Sequence, residues 1–451
     1  MPETLAIHVI GTGYGESAIV EFPDRSVAII DSIGCKTRPS WEAGSSSDDH
    51  PIIRFIEDFI RPPKIRFVLL THPHADHCLG IGHLVRHFGA RLERVILSSA
   101  LLQTHTARFQ RLIIEQTRNL IRDPTESLLG LKAGRVALEL TCLEDEFNRL
   151  KRKRPELRRR YWQGDSEAIS FGDIGVRISP LTPGSDALHS LSQQVEKAHT
   201  FLAANLAATA AACDAAVNLN KYPHPDYNLA SVAVCIGWQK AQIVLSADAF
   251  DSVWDEAFDD WSVGDRPHRL LECEPMCMLK VGHHGSREWR GEKLGDFLNY
   301  SKCGMAVVTP FRHGSVALPT PEAIHELSQA TTKIATTVRQ AAIDSTGLSW
   351  DAPSSPKPLP PARWLEFVRQ NPRYAVLLSS DLQQETDLPT PPQPWLDDIR
   401  KQPELARCLP ELLRQERPEH DNRVSFHFDA AGNHMQGLDY FGSATGIFRP
   451  A

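Results

Sequence analysis

Three histidines and one aspartate lie within six residues, because segment 72–77 reads His-Pro-His-Ala-Asp-His. The segment follows the apolar run Ile65–Leu70, which predicts a buried strand. Alternate residues of a strand project to the same side, so the rings of His72 and His74 can bind one cation. Asp76 and His77 lie in the turn into the next helix and can bind a second cation. Imidazole and carboxylate ligands are typical of zinc, and they also serve manganese or iron.

Further candidate ligands follow apolar runs later in the chain. Asp248 comes after Ile243–Leu245, where a carboxylate could bridge two cations. Taken alone, Asp248 could equally cap the N-terminus of a helix. His283 and His284 directly follow another predicted strand and precede a Gly-Ser pair. This position favours metal binding over a polar turn without a ligand.

The His-x-His-x-Asp-His pattern resembles the signature of the metallo-β-lactamase superfamily, and other segments follow in the order of that family. Asp31 resembles the early strand-end aspartate that supports the metal loop, and Asp248 resembles the bridging aspartate. Segment 279–286, Leu-Lys-Val-Gly-His-His-Gly-Ser, is similar to the closing motif of the hydrolase domain of the competence protein ComEC and its stand-alone soluble relatives. The glycine-rich segment 9–17 and the Asn-x-x-Ser segment 228–231 are similar to the same branch. The resemblance covers roughly residues 5–340 without two insertions, and it does not include the membrane domains of ComEC.

The resemblance implies two divalent metal ions, zinc in the first place and manganese as an alternative. The implied ligands are His72, His74, Asp76, His77, Asp248 and His283. His283 is assigned because the family's His-x-Gly-Thr ending aligns with residues 283–286, which leaves His284 as a catalytic acid or phosphate-orienting group. The reverse order of the two histidines stays open. Asp76 is expected to bind metal and also to orient the nucleophile.

The chain departs from the family pattern at the third histidine of the first metal. Ser185 follows a Pro-Gly pair where many relatives carry this histidine. His224 could replace it from the far side of an insertion, although a loop histidine beside two prolines is the alternative. His189 and His199 are weaker candidates.

The elements that must position these residues predict an α/β protein. The strand and helix order suggests a sandwich of two mixed β-sheets covered by helices. The resemblance implies that this sandwich is the metallo-β-lactamase αββα fold. We expect the catalytic domain at residues 1–345, with helical insertions at about 100–165 and 186–222. Residues 346–451 are expected to form a proline-rich C-terminal extension with a helix near Trp364 and a late strand at Val424–Phe428.

A basic run from Arg149 to Arg160 contains eight basic residues and is followed by Tyr161 and Trp162. Such a run suits phosphate backbones, with aromatic rings on which bases can stack, so nucleic acid or another phosphodiester is a candidate partner. A solvated helix face paired with Glu144–Glu146 explains the run equally well. The insertions and the C-terminal extension could also dock partner proteins.

The composition restricts the surroundings of the protein. The 451 residues carry a net charge of −7, so no global field draws the whole protein to nucleic acid or a membrane. We find neither a signal-peptide pattern nor an apolar run of about 18 residues, and therefore expect no membrane contact. The nine cysteines are scattered and odd in number, which fits reduced thiols and a cytoplasmic location.

These observations predict a metal-dependent hydrolase, a phosphodiesterase or nuclease that uses a metal-bridged hydroxide. Hydrolysis of a small ester, thioester or lactam is the second reading, and it would require an apolar pocket near the metals. The third is a metal-stabilised scaffold or sensor subunit of a larger complex, possible in defence-type gene clusters by analogy alone.

Overall fold

The computed structural model describes fourteen segments of the chain. They are residues 4–11, 15–33, 40, 50–102, 128–212, 223–259, 276–301, 303–313, 316–331, 333–337, 349–350, 423–429, 439–441 and 445–448. The helix expected near Trp364 lies outside these residues, as do parts of both insertions and most of the C-terminal extension.

The first sheet contains eight strands. Numbered in chain order and given in spatial order, they are β18 (Asp439–Phe441), β17 (Arg423–Phe428), β1 (Leu5–Gly11), β2 (Glu16–Glu21), β3 (Val27–Ile30), β4 (Ile65–Leu70), β5 (Arg94–Ser98) and β6 (Arg158–Trp162). Strands β3 to β6 run parallel, and the others pair antiparallel. All six residues of β4 are buried, because this strand is covered on both faces of the sheet.

The second sheet contains nine strands and is also mixed. In spatial order they are β16 (Ser349–Trp350), β19 (Thr445–Phe448), β15 (Ile334–Thr336), β12 (Ala306–Val308), β11 (Met276–Lys280), β10 (Ala241–Leu245), β9 (Val234–Trp238), β8 (Val176–Pro180) and β7 (Ile169–Phe171). Strands β10, β11, β12 and β15 run parallel. A separate hairpin joins β13 (Phe311–His313) to β14 (Val316–Leu318).

Helices cover the outer face of each sheet. The α-helices are Pro51–Phe55, Ala75–Cys78, Ile81–Phe88, Leu128–Lys153, Ser185–Ala212, Asp251–Asp259, Glu292–Ser301 and Pro321–Ala330; a π-helix spans Ile56–Ile60, and 3-10 turns span Ser99–Leu102, Tyr227–Ala230 and His283–Gly285. One apolar cluster lies between the sheets, a second lies under the helices of the first sheet, and a third lies under those of the second. The predicted αββα sandwich of two mixed sheets is therefore confirmed.

The last strands of the chain complete both sheets. Strand β17 pairs antiparallel with β1, with Leu5 opposite Phe428, and the late strand expected at Val424–Phe428 lies here. Strand β19 pairs with β15 in the second sheet. The C-terminal strands thus extend the sandwich that holds the candidate ligands.

The basic run is not helical throughout, although the sequence predicted helices over about residues 100–165. Helix Leu128–Lys153 ends just before Pro155, whose ring cannot continue a helix. Strand β6 then pairs parallel with β5, and Trp162 is buried between the sheets. The reason is packing, because the edge of the first sheet offers β6 a partner strand and a buried slot for the indole ring.

The structure bears on two expectations, the lack of a membrane-spanning helix and the presence of reduced cysteines. Among the described helices, none combines the length and the apolar composition needed to cross a bilayer. Cys78, Cys142, Cys277 and Cys303 carry free thiols, as expected, whereas Cys235 is disulfide-bonded.

Candidate metal centre

The candidate ligands lie where parallel strands end. His72 follows β4 of the first sheet, Asp248 follows β10 and His284 follows β11 of the second sheet. The carboxyl ends of parallel strands form a crevice at one edge of a sheet, a common place for ligand sites. Two sheets therefore bring together residues that are far apart in the sequence.

A first group consists of His72, His74 and Asp248. One possible ligand atom from each residue lies within 4.8 Å of those from the other two. His72 Nε2 is 3.1 Å from His74 Nδ1 and 3.8 Å from Asp248 Oδ2. His72 and Asp248 are buried, and His74 is partly buried.

A second group consists of Asp76, His77, Asp248 and His284, again with ligand atoms within 4.8 Å of one another. His77 Nε2 is 3.3 Å from Asp248 Oδ1 and 3.8 Å from Asp76 Oδ2. His284 Nε2 is 3.3 Å from Asp76 Oδ2 and 3.9 Å from Asp248 Oδ2. Asp248 belongs to both groups, so its carboxylate can face two cations at once.

Hydrogen bonds on the far side of the rings fix their orientation. Asp31 Oδ2 lies 2.8 Å from His77 Nδ1, and Asp31 also accepts from the backbone N and the hydroxyl of Thr71 at 2.9 and 2.7 Å. The Nδ1 proton of His77 therefore points to Asp31, and its Nε2 lone pair points into the cluster. His72 Nδ1 lies 3.1 Å from the Thr71 hydroxyl, which leaves Nε2 free in the same way. Such partners commonly orient metal-binding imidazoles.

A buried chain of polar groups supports His284 from behind. His284 Nδ1 donates to the carbonyl oxygen of Thr309 at 2.8 Å, so its Nε2 lone pair faces the carboxylates. The Thr309 hydroxyl donates to Glu16, which forms an ion pair with Lys280. Lys280 also donates to the Ala247 carbonyl at 3.0 Å, next to the bridging aspartate. Glu16 and Lys280 are functional neighbours that motif analysis did not pair, since 264 residues separate them.

The residues present fit divalent metal ions. Buried atoms His77 Nε2 and Asp248 Oδ1 form no hydrogen bond in the described structure, although they face each other. Burial would raise the pKa of the Asp248 carboxyl, but the charges of His77 and His284 hold it well below its usual range. Burial and neighbouring imidazoles lower the pKa of His72 well below its usual value, which favours the neutral, ligating form. Burial would lower the pKa of His77, but the Asp248 and Asp31 carboxylates hold it well above its usual value, so His77 must lose a proton when it binds a cation. Neutral imidazoles and ionised carboxylates are the forms that bind metal.

The adjacent histidines occupy different environments. His284 is buried within the second group, whereas His283 is partly buried with Nε2 3.2 Å from Asn228 Nδ2 and Nδ1 3.1 Å from Ser286 Oγ. Both residues have positive φ, at 44° and 52°, and this turn directs the second ring into the cluster. Of the two adjacent histidines, the structure groups His284 with Asp76, His77 and Asp248, whereas the sequence favoured His283 as the ligand.

The structure does not bring the replacement histidines into either described group. His224 is exposed, Ser185 begins helix Ser185–Ala212, and His189 lies exposed on that helix beside Gln193. His199 lies on the same helix, ten residues after His189, and is partly buried. Within the described residues, the first group therefore offers three protein ligands.

Aromatic rings surround the metal centre. Tyr227 lies 6.1 Å from His74, and Phe250 lies 6.3 Å from His283, centroid to centroid. Phe311 stacks on His284 at 5.0 Å. A substrate at this centre would meet imidazoles and carboxylates at its base and aromatic faces at its rim.

Several residues of the basic run form ion pairs or hydrogen bonds within the protein. Arg149 pairs with Glu146 and Arg159 pairs with Glu144, each at 2.7 Å. Arg154 donates to the carbonyl oxygens of Gly89 and Leu92. Acidic residues thus pair with part of the run, as one of the two interpretations expected.

Comparison with known proteins gives one family match. The sequence model of the Metallo-beta-lactamase superfamily matches residues 42–195, which include His72, His74, Asp76 and His77. No curated protein matches the chain.

Two solved structures are similar to the chain at low identity. Igni18, described as a novel metallo hydrolase from the hyperthermophilic archaeon Ignicoccus hospitalis KIN4/I, is 12% identical over 72% of this chain and 91% of that chain, with a TM-score of 0.34. A mutant of CmlA beta-hydroxylase is 13% identical over 68% of this chain and 46% of that chain, with a TM-score of 0.31. The comparisons do not distinguish the ComEC branch, so that finer resemblance stays a prediction. The family match over residues 42–195 and the two-sheet fold around the His and Asp cluster are consistent with the metallo-β-lactamase fold.

Proposed function

We propose that the protein is a two-metal hydrolase of phosphodiesters. The observation that carries this proposal is the carboxylate of Asp248, which belongs to both ligand groups. A shared anionic ligand suits two divalent ions about 3.5–4 Å apart. Such ions, when bound, lower the pKa of water toward neutrality and offset charge on a phosphoryl oxygen.

Three residues near the metal centre have separate roles in this proposal. Asp76 would hold the second ion and would orient the attacking water. His284 would hold the same ion, with its ring fixed by the hydrogen bond from Nδ1 to the Thr309 carbonyl oxygen. His283 takes the role first given to its neighbour, a rim histidine held by Asn228 and Ser286 that can transfer a proton to the leaving group.

The preference for phosphodiesters rests on two features. The basic run supplies arginines for phosphate groups, and the rim aromatics Tyr227, Phe250 and Phe311 offer faces on which bases can stack. Nucleic acid is therefore the proposed substrate class, with zinc as the first choice of metal and manganese as the second.

The same aromatic rim favours a second candidate. A small ester, thioester or lactam with an apolar acyl part could pack against these rings without contacting the basic run. The scaffold alternative differs from both enzymatic readings, because such a protein would bind metal and show no turnover. Partner docking through the insertions or the C-terminal extension stays a prediction.

The test combines metal analysis with three substrates. Purified protein is loaded separately with zinc or manganese, dialysed and analysed for bound metal, then assayed with bis-p-nitrophenyl phosphate, DNA in single-stranded and duplex form, and nitrocefin. We expect two ions per chain and hydrolysis of the phosphodiesters. Asp248→Asn should lose both the second ion and turnover, whereas the matched control His224→Gln should keep both, since His224 is exposed outside the two groups.

Each outcome separates the candidates. Turnover of nitrocefin alone would select the small-substrate candidate, and metal binding without any turnover would select the scaffold. A protein that binds no metal after loading would contradict all three. Loss of metal in His224→Gln would show that His224 completes the first metal site.

A further inference from the structure

Three arginines lie on one face of two neighbouring strands, at the edge of the first sheet. In the parallel pairing of β5 and β6, Arg94 is in register with Arg158, and Ile96 with Arg160. Residues in register project to the same side, as do alternate residues of one strand. Ile96 and Trp162 belong to the apolar cluster between the sheets. The three arginines therefore face the second sheet, at the open edge of the sandwich.

Within the described segments, no carboxylate forms an ion pair with this arginine cluster. Burial lowers the pKa of Arg94, the nearby Glu93 carboxylate raises it, and the charges of Arg160 and Arg158 lower it again. Arg94 Nε is buried and has no hydrogen-bond partner in the described structure. Neither Arg158 nor Arg160 forms an ion pair within the described segments.

A neighbouring arginine shows the usual arrangement. Arg66 pairs with Asp24 and Asp173, each at 2.7 Å. Its guanidinium also lies 4.9 Å from the ring centroid of Phe171, on the second sheet, and that of Arg94 lies 5.4 Å from the same ring. Arg66 therefore has three carboxylates, with Glu93 at 3.8 Å as the third, whereas Arg94 forms no ion pair within the described segments. Like charges this close are repulsive unless an anion lies between them.

We infer that Arg94, Arg158 and Arg160 form a phosphate-binding site for the backbone of a nucleic-acid strand, separate from the metal centre. Guanidinium groups bind phosphate oxygens in a two-pronged geometry, which explains why arginines and not lysines occupy these positions. The anion-binding character follows from the cluster itself, and the choice of nucleic acid rests on the proposed function.

The distance to the metal centre sets the length of strand required. Val68 is in register with Val95, so Arg94 aligns with Phe67, five residues before His72. At about 3.3 Å per residue and about 4.8 Å per strand, the cluster lies about 20 Å from His72. At about 3.4 Å per phosphate, a strand spanning both sites needs about six phosphates. A dinucleotide or a small phosphodiester would therefore contact only the metal centre.

Binding of a labelled oligothymidylate of about 16 nucleotides tests the site, since this length covers the expected span. The variant Arg158→Gln/Arg160→Gln is compared with Arg152→Gln/Lys153→Gln, which removes two exposed charges from the helical end of the same run. Metal-loaded protein is titrated by fluorescence anisotropy at several salt concentrations, and bis-p-nitrophenyl phosphate turnover is measured in parallel. Arg158→Gln alone serves as a milder variant if the double variant has a lowered melting temperature.

We expect the strand variant to bind about 25-fold more weakly at 0.1 M salt, with the salt slope reduced by about 1.4, as for two lost phosphate contacts. The helix variant should change affinity less than about twofold, and kcat on the small substrate should be unchanged in both. Equal loss in the two variants would reduce the cluster to general electrostatic attraction and overturn the inference. Wild-type protein that hydrolyses the small phosphodiester but does not bind the oligonucleotide would also overturn it, and would leave the proposed function standing. Binding through the cluster without hydrolysis of any phosphodiester would support the site and contradict the proposed function.

Discussion

Removing the positive charge of Lys280 should destabilise the protein strongly. The side chains of Lys280 and Glu16 are each about 5% exposed, and their ion pair lies behind His284. This ion pair joins β2 of the first sheet to β11 of the second sheet. Replacing Lys280 by methionine keeps the apolar stem but leaves the Glu16 carboxylate buried without its cation. The Thr309 hydroxyl would be its remaining hydrogen-bond donor.

The expected magnitude follows from burial. Removing one partner of a buried ion pair typically costs about 3–5 kcal/mol, and solvent screening does not reduce this at such low exposure. The lost hydrogen bond from Lys280 to the Ala247 carbonyl adds about 1 kcal/mol. For a chain of 451 residues, the unfolding entropy is about 1 kcal/mol per kelvin, so Lys280→Met should lower the melting temperature by about 4–6 °C.

A second variant separates charge from packing. Glu16→Gln/Lys280→Met removes both charges, so it should recover most of the loss and leave a cost of about 1–2 kcal/mol. The assay is calorimetric melting of metal-free and metal-loaded protein, with Lys240→Met as a control because Lys240 is exposed. Metal analysis should show that Lys280→Met weakens binding at the second ion, because the support of His284 is disturbed. A loss below about 1 kcal/mol, or a double variant no more stable than Lys280→Met, would refute the reasoning.

Three further predictions concern the metal centre and acid stability. Asp76→Asn should abolish phosphodiester turnover while the circular dichroism spectrum stays unchanged, because the amide keeps the shape and loses the charge; near-normal kcat would exclude Asp76 from the chemistry. Asp31→Asn should weaken metal binding about 10- to 100-fold, measured by competition with a chelating dye, since His77 loses its orienting acceptor; an unchanged affinity would show that His77 needs no such support. Burial lowers the pKa of His50 to about 3, so below about pH 6.5 the unfolded chain binds a proton that the folded protein does not. Stability from this group is therefore full at neutral pH and lost as pH falls, by about 2 kcal/mol at pH 5. His50→Asn, which can keep the cap on Ile52 N, should remove that part of the pH dependence in melts at pH 7.5 and 5, and a wild-type slope in the variant would contradict it.

Local sequence was sufficient for the first half of the metal centre. The apolar run of β4 predicts a buried strand, and the residues that follow it are close in sequence, so their side chains must lie near one another. His72, His74, Asp76 and His77 could therefore be chosen from types and spacing alone. The same reasoning predicted the αββα architecture, because alternating apolar strands and amphipathic helices allow few ways to bury both sheets.

The order of His283 and His284 could not be decided from the sequence. Adjacent side chains diverge according to the backbone angles of the turn, and both residues here take positive φ. That conformation depends on packing around the end of β11, including the Thr309 carbonyl oxygen that accepts a hydrogen bond from His284 Nδ1. A motif alignment carries no information about which ring a turn directs inward.

The sequence alone places the whole basic run in the helical insertion at about residues 100–165. Tertiary packing divides it at Pro155, and the second half becomes an edge strand because β5 offers unpaired backbone groups and the core offers a space for Trp162. Arg94 joins Arg158 and Arg160 only through this pairing, across 64 residues of chain. The sequence by itself determined which residue types could bind metal and phosphate. Which of them face one another was decided by strand register and by the turns at strand ends, since these depend on contacts between segments that are distant in the chain.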